Sequence, residues 1–90
     1  MADNNVFLIL QDNTDARPFI DAIEQANEGI KVDHQPGMVR FDALGEILIR
    51  RDDVSENAGR DVDLQELHIN LISLSGNIDE DDDVFRLSRH

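Results

Sequence analysis

The sequence predicts an α+β fold, a single small domain in which helices pack on one face of a mostly antiparallel sheet. Its 90 residues are one domain's length of chain. Most apolar residues fall in short blocks typical of strands, and one longer block has the spacing of a helix. Clusters of Gly, Asn and Asp separate these blocks, and such clusters are typical of turns. The element order that follows is β-α-β-β-β-α-(α)-β-β.

The first two elements are a strand and an amphipathic helix. Residues 6–10 form a continuous apolar run, whose length favours a strand buried on both faces near the centre of a sheet. A helical stripe follows the turn at residues 11–15 and comprises Ala16, Phe19, Ile20, Ile23 and Ala26. The helix starts either after an N-cap at Asp15 or only at Pro18, because a residue before proline is biased away from helical geometry. Gly29 suits the left-handed position that ends a helix.

Three strands follow in the middle of the chain. Residues 30–34 alternate between apolar and polar, which predicts a strand with one wet face. After a turn at residues 35–37, two further strands cover residues 38–42 and 46–50. A short hairpin loop joins these two strands, with Gly45 where a positive φ is needed.

Two short helices are predicted from capping patterns. Asp53 and Glu56 form one Asp-x-x-Glu pattern, and Gly59 closes the helix that it starts. Asp63 and Glu66 repeat the pattern. The first of these helices is expected to be short because Gly59 closes it.

The chain ends in two strands. Residues 68–74 are predicted to form a strand with Ile69 and Leu71 on one face and Ile72 and Leu74 on the other. Gly76, Asn77 and an acidic run then precede the last strand. The acidic run covers residues 79–83 and the last strand covers residues 84–87.

Composition excludes several classes of function. Twenty acidic against eight basic residues give a formal charge of -12, which excludes a protein that binds nucleic-acid phosphates and argues against a helix lying on anionic lipid. The chain has no Cys, so disulfides, thiolate nucleophiles and iron–sulfur clusters are excluded. No apolar run approaches the length of a membrane span, and the first residues lack the basic region of a signal peptide. We therefore expect a cytoplasmic protein.

Metal and catalytic sites are not predicted. His34, His68 and His90 lack the spacing of metal ligands. The acidic run at residues 79–83 lacks the central Gly and final Glu of a calcium loop, so it is interpreted as a solvated hairpin loop or a charged recognition loop. No Ser lies in a Gly-x-Ser-x-Gly elbow and there is no glycine-rich phosphate loop. We expect no metal, no cofactor and no catalysis by this chain alone, although a carboxylate pair stays open as an alternative.

Two features indicate a surface for a protein partner. In a domain this small, the face that carries Ile72 and Leu74 lacks enough chain to cover it. Met38 shares its strand face with Arg40 and Asp42, which places a flexible apolar side chain on a wet surface. A sheet buried on both faces and a gap-filling methionine explain the same two features equally well.

Four stretches of the chain resemble the regulatory component of bacterial multicomponent soluble diiron monooxygenases, also called the coupling or effector protein. They are residues 10–13, residues 34–40, residues 60–63 with 65–66, and residues 72–83. The most specific is the strand ending in Gly-Asn-Ile-Asp-Glu-Asp-Asp-Asp, at residues 76–83. The resemblance runs from about residue 6 to residue 87 and is closest to the phenol hydroxylase branch.

This resemblance implies a cofactor-free, non-catalytic protein. Such proteins bind the diiron hydroxylase component, act beside or in competition with the reductase, and tune oxygen activation, coupling and substrate oxidation in aromatic hydrocarbon catabolism. The family fold has two β-α-β-type units. Together with Met38 and its strand face, the resemblance predicts a partner-binding set made of Asn70, Ile72, Ser73, Leu74, Ser75, Gly76, Asn77, Met38 and Arg40.

Further expectations concern the extent of the domain and its partners. One domain is expected over residues 1–90, with residues 1–4 and 89–90 frayed at its ends. No nucleic acid and no membrane are expected among the partners. Two alternatives remain, an acidic mimic of nucleic acid that inhibits a DNA-binding protein and a small carboxylate-pair enzyme.

Overall fold

The computed structural model describes residues 4–89. The elements in chain order are β1 (Asn5–Gln11), α1 (Arg17–Ala26), β2 (Lys31–Gln35), β3 (Met38–Leu44), β4 (Glu46–Arg50), α2 (Arg51–Ala58), a 3-10 turn (Leu64–Glu66), α3 (Leu67–Asn70), β5 (Leu71–Ser75), β6 (Asn77–Glu80) and β7 (Val84–Ser88). In this part of the chain, no helix is both long enough and apolar enough to cross a membrane.

The strands form two antiparallel sheets that share one hydrophobic core. The first sheet has the order β2-β3-β1-β5, and the second has the order β4-β7-β6. Helix α1 contacts both α2 and β4, and its buried residues belong to the same core cluster as the inward residues of both sheets. The predicted α+β class with antiparallel pairing is confirmed, although the strands divide into two sheets.

Strand β1 lies between β3 and β5, in the interior of the first sheet as predicted, but only one of its faces is buried. Val6, Leu8 and Leu10 are fully buried, whereas Phe7 and Ile9 are half-buried on the opposite face. The prediction of burial on both faces is wrong because the core lies on one side of this sheet only. A continuous apolar run therefore does not require two covered faces.

The predicted hairpin between β3 and β4 is wrong. These two strands belong to different sheets, and Gly45 turns the chain from the first sheet into the second with φ 91°. The Gly45 N–H donates to the Asn4 carbonyl at 2.7 Å, and the Gly45 carbonyl accepts from the Arg89 N–H at 3.1 Å. Of the residues expected to fray, 1–4 and 89–90, residues 1–3 and 90 lie outside the described residues, whereas Asn4 and Arg89 make these two backbone hydrogen bonds.

Helix α1 starts and ends at asparagine side chains. The Asn13 Oδ1 atom accepts the Ala16 N–H at 2.8 Å, and the helix begins at Arg17 with Pro18 in its first turn. Asp15 is therefore not the N-cap, because the side chain two residues earlier provides the capping oxygen. At the other end, the Asn27 side chain bonds the Ile23 carbonyl and both the N–H and the carbonyl of Leu48, which fixes α1 to β4.

Only one of the two predicted capping boxes forms. Helix α2 begins at Arg51, before Asp53, and has no side-chain cap. The second box is confirmed, since the Gln65 N–H donates to Asp63 Oδ1 at 2.9 Å and Glu66 Oε2 accepts the Asp63 N–H at 3.1 Å. An ion pair with Arg60 holds the Glu66 side chain, and the pKa of Glu66 lies below its usual value mainly because of the hydrogen bond from Arg60.

The last part of the chain differs most from expectation. The strand predicted over residues 68–74 begins only at Leu71, because residues Leu67–Asn70 continue the preceding turn as helix α3. The first residues of the predicted acidic loop lie in strand β6, which pairs with β7. The turn itself covers residues 81–83, so the hairpin interpretation of the acidic run is confirmed.

Candidate partner-binding surface

The side of the first sheet that faces away from the core carries half-exposed apolar side chains. We call it the outer face, and it comprises Phe7, Ile9, Met38, Arg40, Asp42, Ser73 and Ser75. The register aligns these residues in rows across three strands. Asp42, Phe7 and Ser75 form one row. Arg40, Ile9 and Ser73 form the next, so aliphatic and aromatic carbon lies at the centre of the face.

Arg40 is held in place at the middle of the outer face. Its Nε and Nη2 atoms donate to Asp42 Oδ2 and Oδ1 at 2.9 and 3.0 Å, and its Cζ atom lies 4.3 Å from the centroid of the Phe7 ring. Two parallel hydrogen bonds and the aromatic contact together restrict the guanidinium to one orientation. The side chain is therefore preorganised for a contact instead of free to sample solvent.

The carboxylate of Asp42 completes this arrangement. The hydrogen bonds from Arg40 hold the pKa of Asp42 below its usual value, and Asn5 Nδ2 adds a bond to Oδ1 at 3.1 Å that acts in the same direction. The same pairing raises the pKa of Arg40. Both groups stay ionised at neutral pH, so the pair adds no net charge to the outer face.

Charge is balanced across the first sheet, in contrast to the chain as a whole. Lys31 lies opposite Asp42 in the β2–β3 register, and Asp33 lies opposite Arg40. These two cations and two anions cancel on a chain whose formal charge is -12. The excess acidity therefore lies elsewhere, which leaves the outer face as a neutral area on an acidic protein.

A second apolar feature lies where α3 meets β5. We call residues 69–72 the α3–β5 corner. Ile69 is 75 % exposed and Ile72 is 45 % exposed, so two large aliphatic side chains within four residues are open to solvent. The register between β1 and β5 shifts between Ile9 and Leu10, which pair with Ser73 and Leu71, so Ile72 is the extra residue of a β-bulge. The corner thus adds exposed apolar area next to the Ser73 side of the outer face.

The predicted partner-binding residues lie in three different environments. Ile72, Ser73 and Asn77 are exposed, and Met38, Arg40, Ser75 and Gly76 are intermediate. Leu74 pairs with the buried Leu8 and packs against the core, so the prediction that Leu74 shares a face with Ile72 is wrong. The bulge breaks the alternation that the prediction assumed. Asn70 is only 6 % exposed and lies beneath the surface.

Gly76 is required by geometry at the point where the chain passes from the first sheet to the second. Its φ is +139°, a region that L side chains rarely adopt. A Cβ atom at this position would lie 3.0 Å from both Leu87 Cδ1 and the Ser88 carbonyl oxygen. The glycine of the specific motif at residues 76–83 therefore has a structural reason to be there.

Sequence reasoning missed two residues of this surface and an exposed leucine at the end of β3. Phe7 and Ile9 were assigned to a fully buried strand, and Leu44, at 83 % exposed, was assigned to a hairpin loop. The signal lay on the neighbouring strand. Because Met38, Arg40 and Asp42 alternate with buried residues, their face is wet, and any strand paired with β3 must share it.

The described residues hold no group of three or more side chains arranged to bind a metal ion. Within them, His68 Nε2 lies 3.1 Å from Glu80 Oε2 and its ring meets Phe85 edge-on at 6.2 Å, which is a structural contact between α3 and the second sheet. His90 lies outside the described residues.

Comparison with known proteins gives consistent results. The family model described as MmoB/DmpM family matches residues 4–88. The stimulatory component DmpM of phenol 2-monooxygenase from Pseudomonas sp. (strain CF600) is 45 % identical over 82 residues, which is 91 % of this chain and 91 % of that protein.

Solved structures of similar proteins have the same fold. A chain in a structure of a phenol hydroxylase–regulatory protein complex matches with a TM-score of 0.90 and 43 % identity, covering 96 % of this chain and 99 % of that one. A second structure of such a complex matches with a TM-score of 0.84 and 40 % identity, covering 93 % and 98 %. The soluble methane monooxygenase regulatory protein B has the same fold, with a TM-score of 0.76 at 21 % identity, covering 100 % of this chain and 68 % of that one.

Proposed function

The chain belongs to the MmoB/DmpM family, and we propose that it is the regulatory component of a multicomponent monooxygenase of the phenol hydroxylase type. The observation that carries this proposal is the 45 % identity to a phenol 2-monooxygenase stimulatory component over 91 % of both chains. The partner is the hydroxylase component, because structures that match almost all of this chain are phenol hydroxylase–regulatory protein complexes.

The proposed role is non-catalytic. The chain binds the diiron hydroxylase and tunes oxygen activation, the coupling of electrons to product, and substrate oxidation, while the metal chemistry belongs to the hydroxylase. It acts alongside or in competition with the reductase, in the cytoplasm, where the reductant is available. Its own residues supply a shaped and preorganised surface that changes the partner's conformational balance by binding one state better.

We propose that this surface consists of the outer face and the α3–β5 corner. The outer face offers apolar side chains without net charge, so binding there removes carbon from water without leaving an unpaired ion. Arg40 and Phe7 are of the residue types enriched at the centres of interfaces. The proposed contact residues are Ile72, Ser73, Ser75, Met38 and Arg40, and we add Phe7, Ile9 and Ile69 to them. Asn77, at the start of β6 on the second sheet, belongs to the edge of this surface, and its side chain lies on the strand face opposite to that of Ile78.

The remaining acidity has a separate role in this proposal. Carboxylates away from the interface speed the encounter with a basic region of the hydroxylase and orient the approach, while contributing little to the bound state. The turn at residues 81–83 follows the corner and β6 along the chain and is the densest group of such charges.

A reconstitution experiment tests the proposed function. The chain is titrated into a fixed amount of its cognate diiron hydroxylase and reductase, and oxygenated product is measured against reductant consumed. We expect product formation and coupling to rise and then saturate as the chain is added. An unchanged rate and coupling over the whole titration would contradict the proposal, and turnover by the chain alone would support the carboxylate-pair enzyme instead.

A further inference from the structure

Among residues 4–89, Asn70 is the only polar or charged residue that is buried, and it lies in the chain between two exposed isoleucines. Its neighbour Ile69 is 75 % exposed and Ile72 is 45 % exposed. The usual order of polar outside and apolar inside is therefore reversed at the α3–β5 corner. Such a reversal has to be enforced, because burying an amide and exposing isoleucine are both unfavourable.

A direct hydrogen bond accounts for the buried amide. Asn13 Nδ2 donates to Asn70 Oδ1 at 3.0 Å, joining positions 57 residues apart in the chain. Asn13 is itself fixed, because its Oδ1 atom accepts the Ala16 N–H at 2.8 Å as helix α1 begins. The corner is thus tethered through one amide pair to the start of α1.

The tether acts at the residue where the strand pairing is re-set. Leu71, directly after Asn70, pairs with Leu10, and the register shift follows at once with Ile72 as the extra residue. An aliphatic side chain at position 70 would pack in the core and would need no hydrogen-bond partner. It would not, however, select one orientation of the bulge. A directional hydrogen bond specifies one orientation, and specifying one packing arrangement is the use of buried polar pairs.

We propose that Asn70 is a positioning residue for binding of the hydroxylase. Its hydrogen bond with Asn13 holds the α3–β5 corner in the conformation that presents Ile69 and Ile72 together, and it acts beneath the interface without touching the partner. This inference rests on the proposed function and assigns Asn70 a role different from the direct contact that the sequence suggested.

The test is a double-mutant cycle read in binding affinity. Asn70→Ala removes the acceptor, and Asn13→Ser removes the donor that reaches Asn70 while keeping a helix-capping oxygen for Ala16. Affinity for the cognate diiron hydroxylase is measured well below the Tm of every variant, with circular dichroism confirming the folded state. Each single variant should weaken binding about tenfold, and the double variant should be no weaker than either, because both remove one bond.

Asn27→Ala is the matched control. Asn27 is also an amide that ties α1 to another element, but it faces β4 and lies outside the proposed surface. It should lower the Tm by about 5–10 °C, as loss of tertiary hydrogen bonds does in a domain this small, and leave the affinity of the folded protein unchanged. If the loss of affinity were proportional to the loss of Tm across all variants, Asn70 would have a structural role only and the inference would be wrong.

Three further outcomes distinguish failure of this inference from failure of the proposed function. If Asn70→Ala binds with wild-type affinity while Ile72→Ala binds weakly, the proposed function stands and the positioning role is wrong. If the effects of Asn13→Ser and Asn70→Ala multiply in the double variant, Asn70 acts by direct contact and the inference is overturned. If the unmodified chain neither binds nor stimulates the hydroxylase, both fail together.

Discussion

The outer face and the acidic turn at residues 81–83 differ in whether their charged groups are neutralised within the protein. On the outer face, Arg40 and Asp42 neutralise each other within the protein and lie among apolar side chains. In the turn, the Asp81 carboxylate accepts hydrogen bonds from the backbone N–H groups of Asp83 and Val84, and the side chains of Asp82 and Asp83 are exposed to solvent. A surface of the first kind is suited to stable contact and one of the second kind to long-range attraction.

This difference predicts that separate groups of residues control the association rate and the dissociation rate of the complex. Attraction between exposed charges is screened by salt, with a Debye length that falls from about 10 Å at 0.1 M to about 3 Å at 1 M. Burial of apolar area is not screened. Substitutions on the outer face and corner should therefore change dissociation, whereas those in the turn should change association.

The largest expected effect comes from placing a charge in the corner. Ile72→Asp should weaken binding of the hydroxylase about 30-fold or more, because it buries an unpaired carboxylate in place of an apolar anchor. Ile78→Asp is the matched control, since Ile78 is 44 % exposed against 45 % for Ile72 but lies on the second sheet. Isothermal titration of both variants provides the comparison, and equal losses of affinity would remove the distinction between the two regions.

A smaller effect is expected at Arg40. Arg40→Gln loses the paired hydrogen bonds to Asp42 and the contact with Phe7, so binding should weaken about tenfold, mainly through faster dissociation. Arg60→Gln controls for the loss of a cation, because Arg60 is also paired with a carboxylate, at 3.1 Å from Glu66, away from the outer face. Affinity should be within twofold of wild type in that control, and a similar loss in both variants would mean that net charge alone is measured.

Much of the fold could be predicted because it depends on local chemistry. The capping box at Asp63 and the helix end at Gly59 involve neighbouring residues, and period-two alternation predicted the strand that the structure has at Lys31–Gln35. The division into two sheets could not be predicted, because a glycine such as Gly45 permits a tight hairpin and a turn between sheets equally well.

The candidate surface was predictable in part for the same reason. Ile72 and Arg40 are accessible, as the strand pattern predicted, but the bulge that separates Ile72 from Leu74 depends on pairing with β1. The burial of Asn70 depends on Asn13, which is distant in sequence. Non-local pairing of this kind leaves no periodic signal in the chain.

A moderate effect on association is expected from the turn. Replacing both Asp82 and Asp83 with Asn should slow association with the hydroxylase two- to fivefold at low salt and leave dissociation unchanged. The pair Glu24→Gln and Glu28→Gln removes the same charge from exposed positions on and just after α1 and should have less effect. Stopped-flow mixing at two ionic strengths measures this, and an association rate equal to wild type would assign the turn a structural role only.

The smallest expected effect concerns Asp81 and pH. Backbone N–H groups of Asp83 and Val84 hold the pKa of Asp81 below its usual value in the folded protein. Its ionised form therefore stabilises the fold above pH of about 4, the ordinary pKa of Asp in an unfolded chain, and that contribution is lost as pH falls through the lowered pKa. Asp81→Asn should lower the Tm slightly at pH 7 relative to Asp82→Asn, which controls for relieved charge repulsion. Thermal unfolding at pH 7 and pH 3 checks whether this difference disappears in acid.

The central claim is that the outer face and the α3–β5 corner contact the hydroxylase, and isoleucine methyl groups report on it directly. The chain is deuterated and labelled at the isoleucine δ1 methyls, bound to protonated hydroxylase, and examined by methyl cross-saturation. We expect the signals of Ile9, Ile69 and Ile72 to lose intensity when the hydroxylase protons are irradiated, and that of Ile78 to keep its intensity. Saturation of Ile78 with Ile9 and Ile72 unaffected would place the partner on the second sheet and contradict the account.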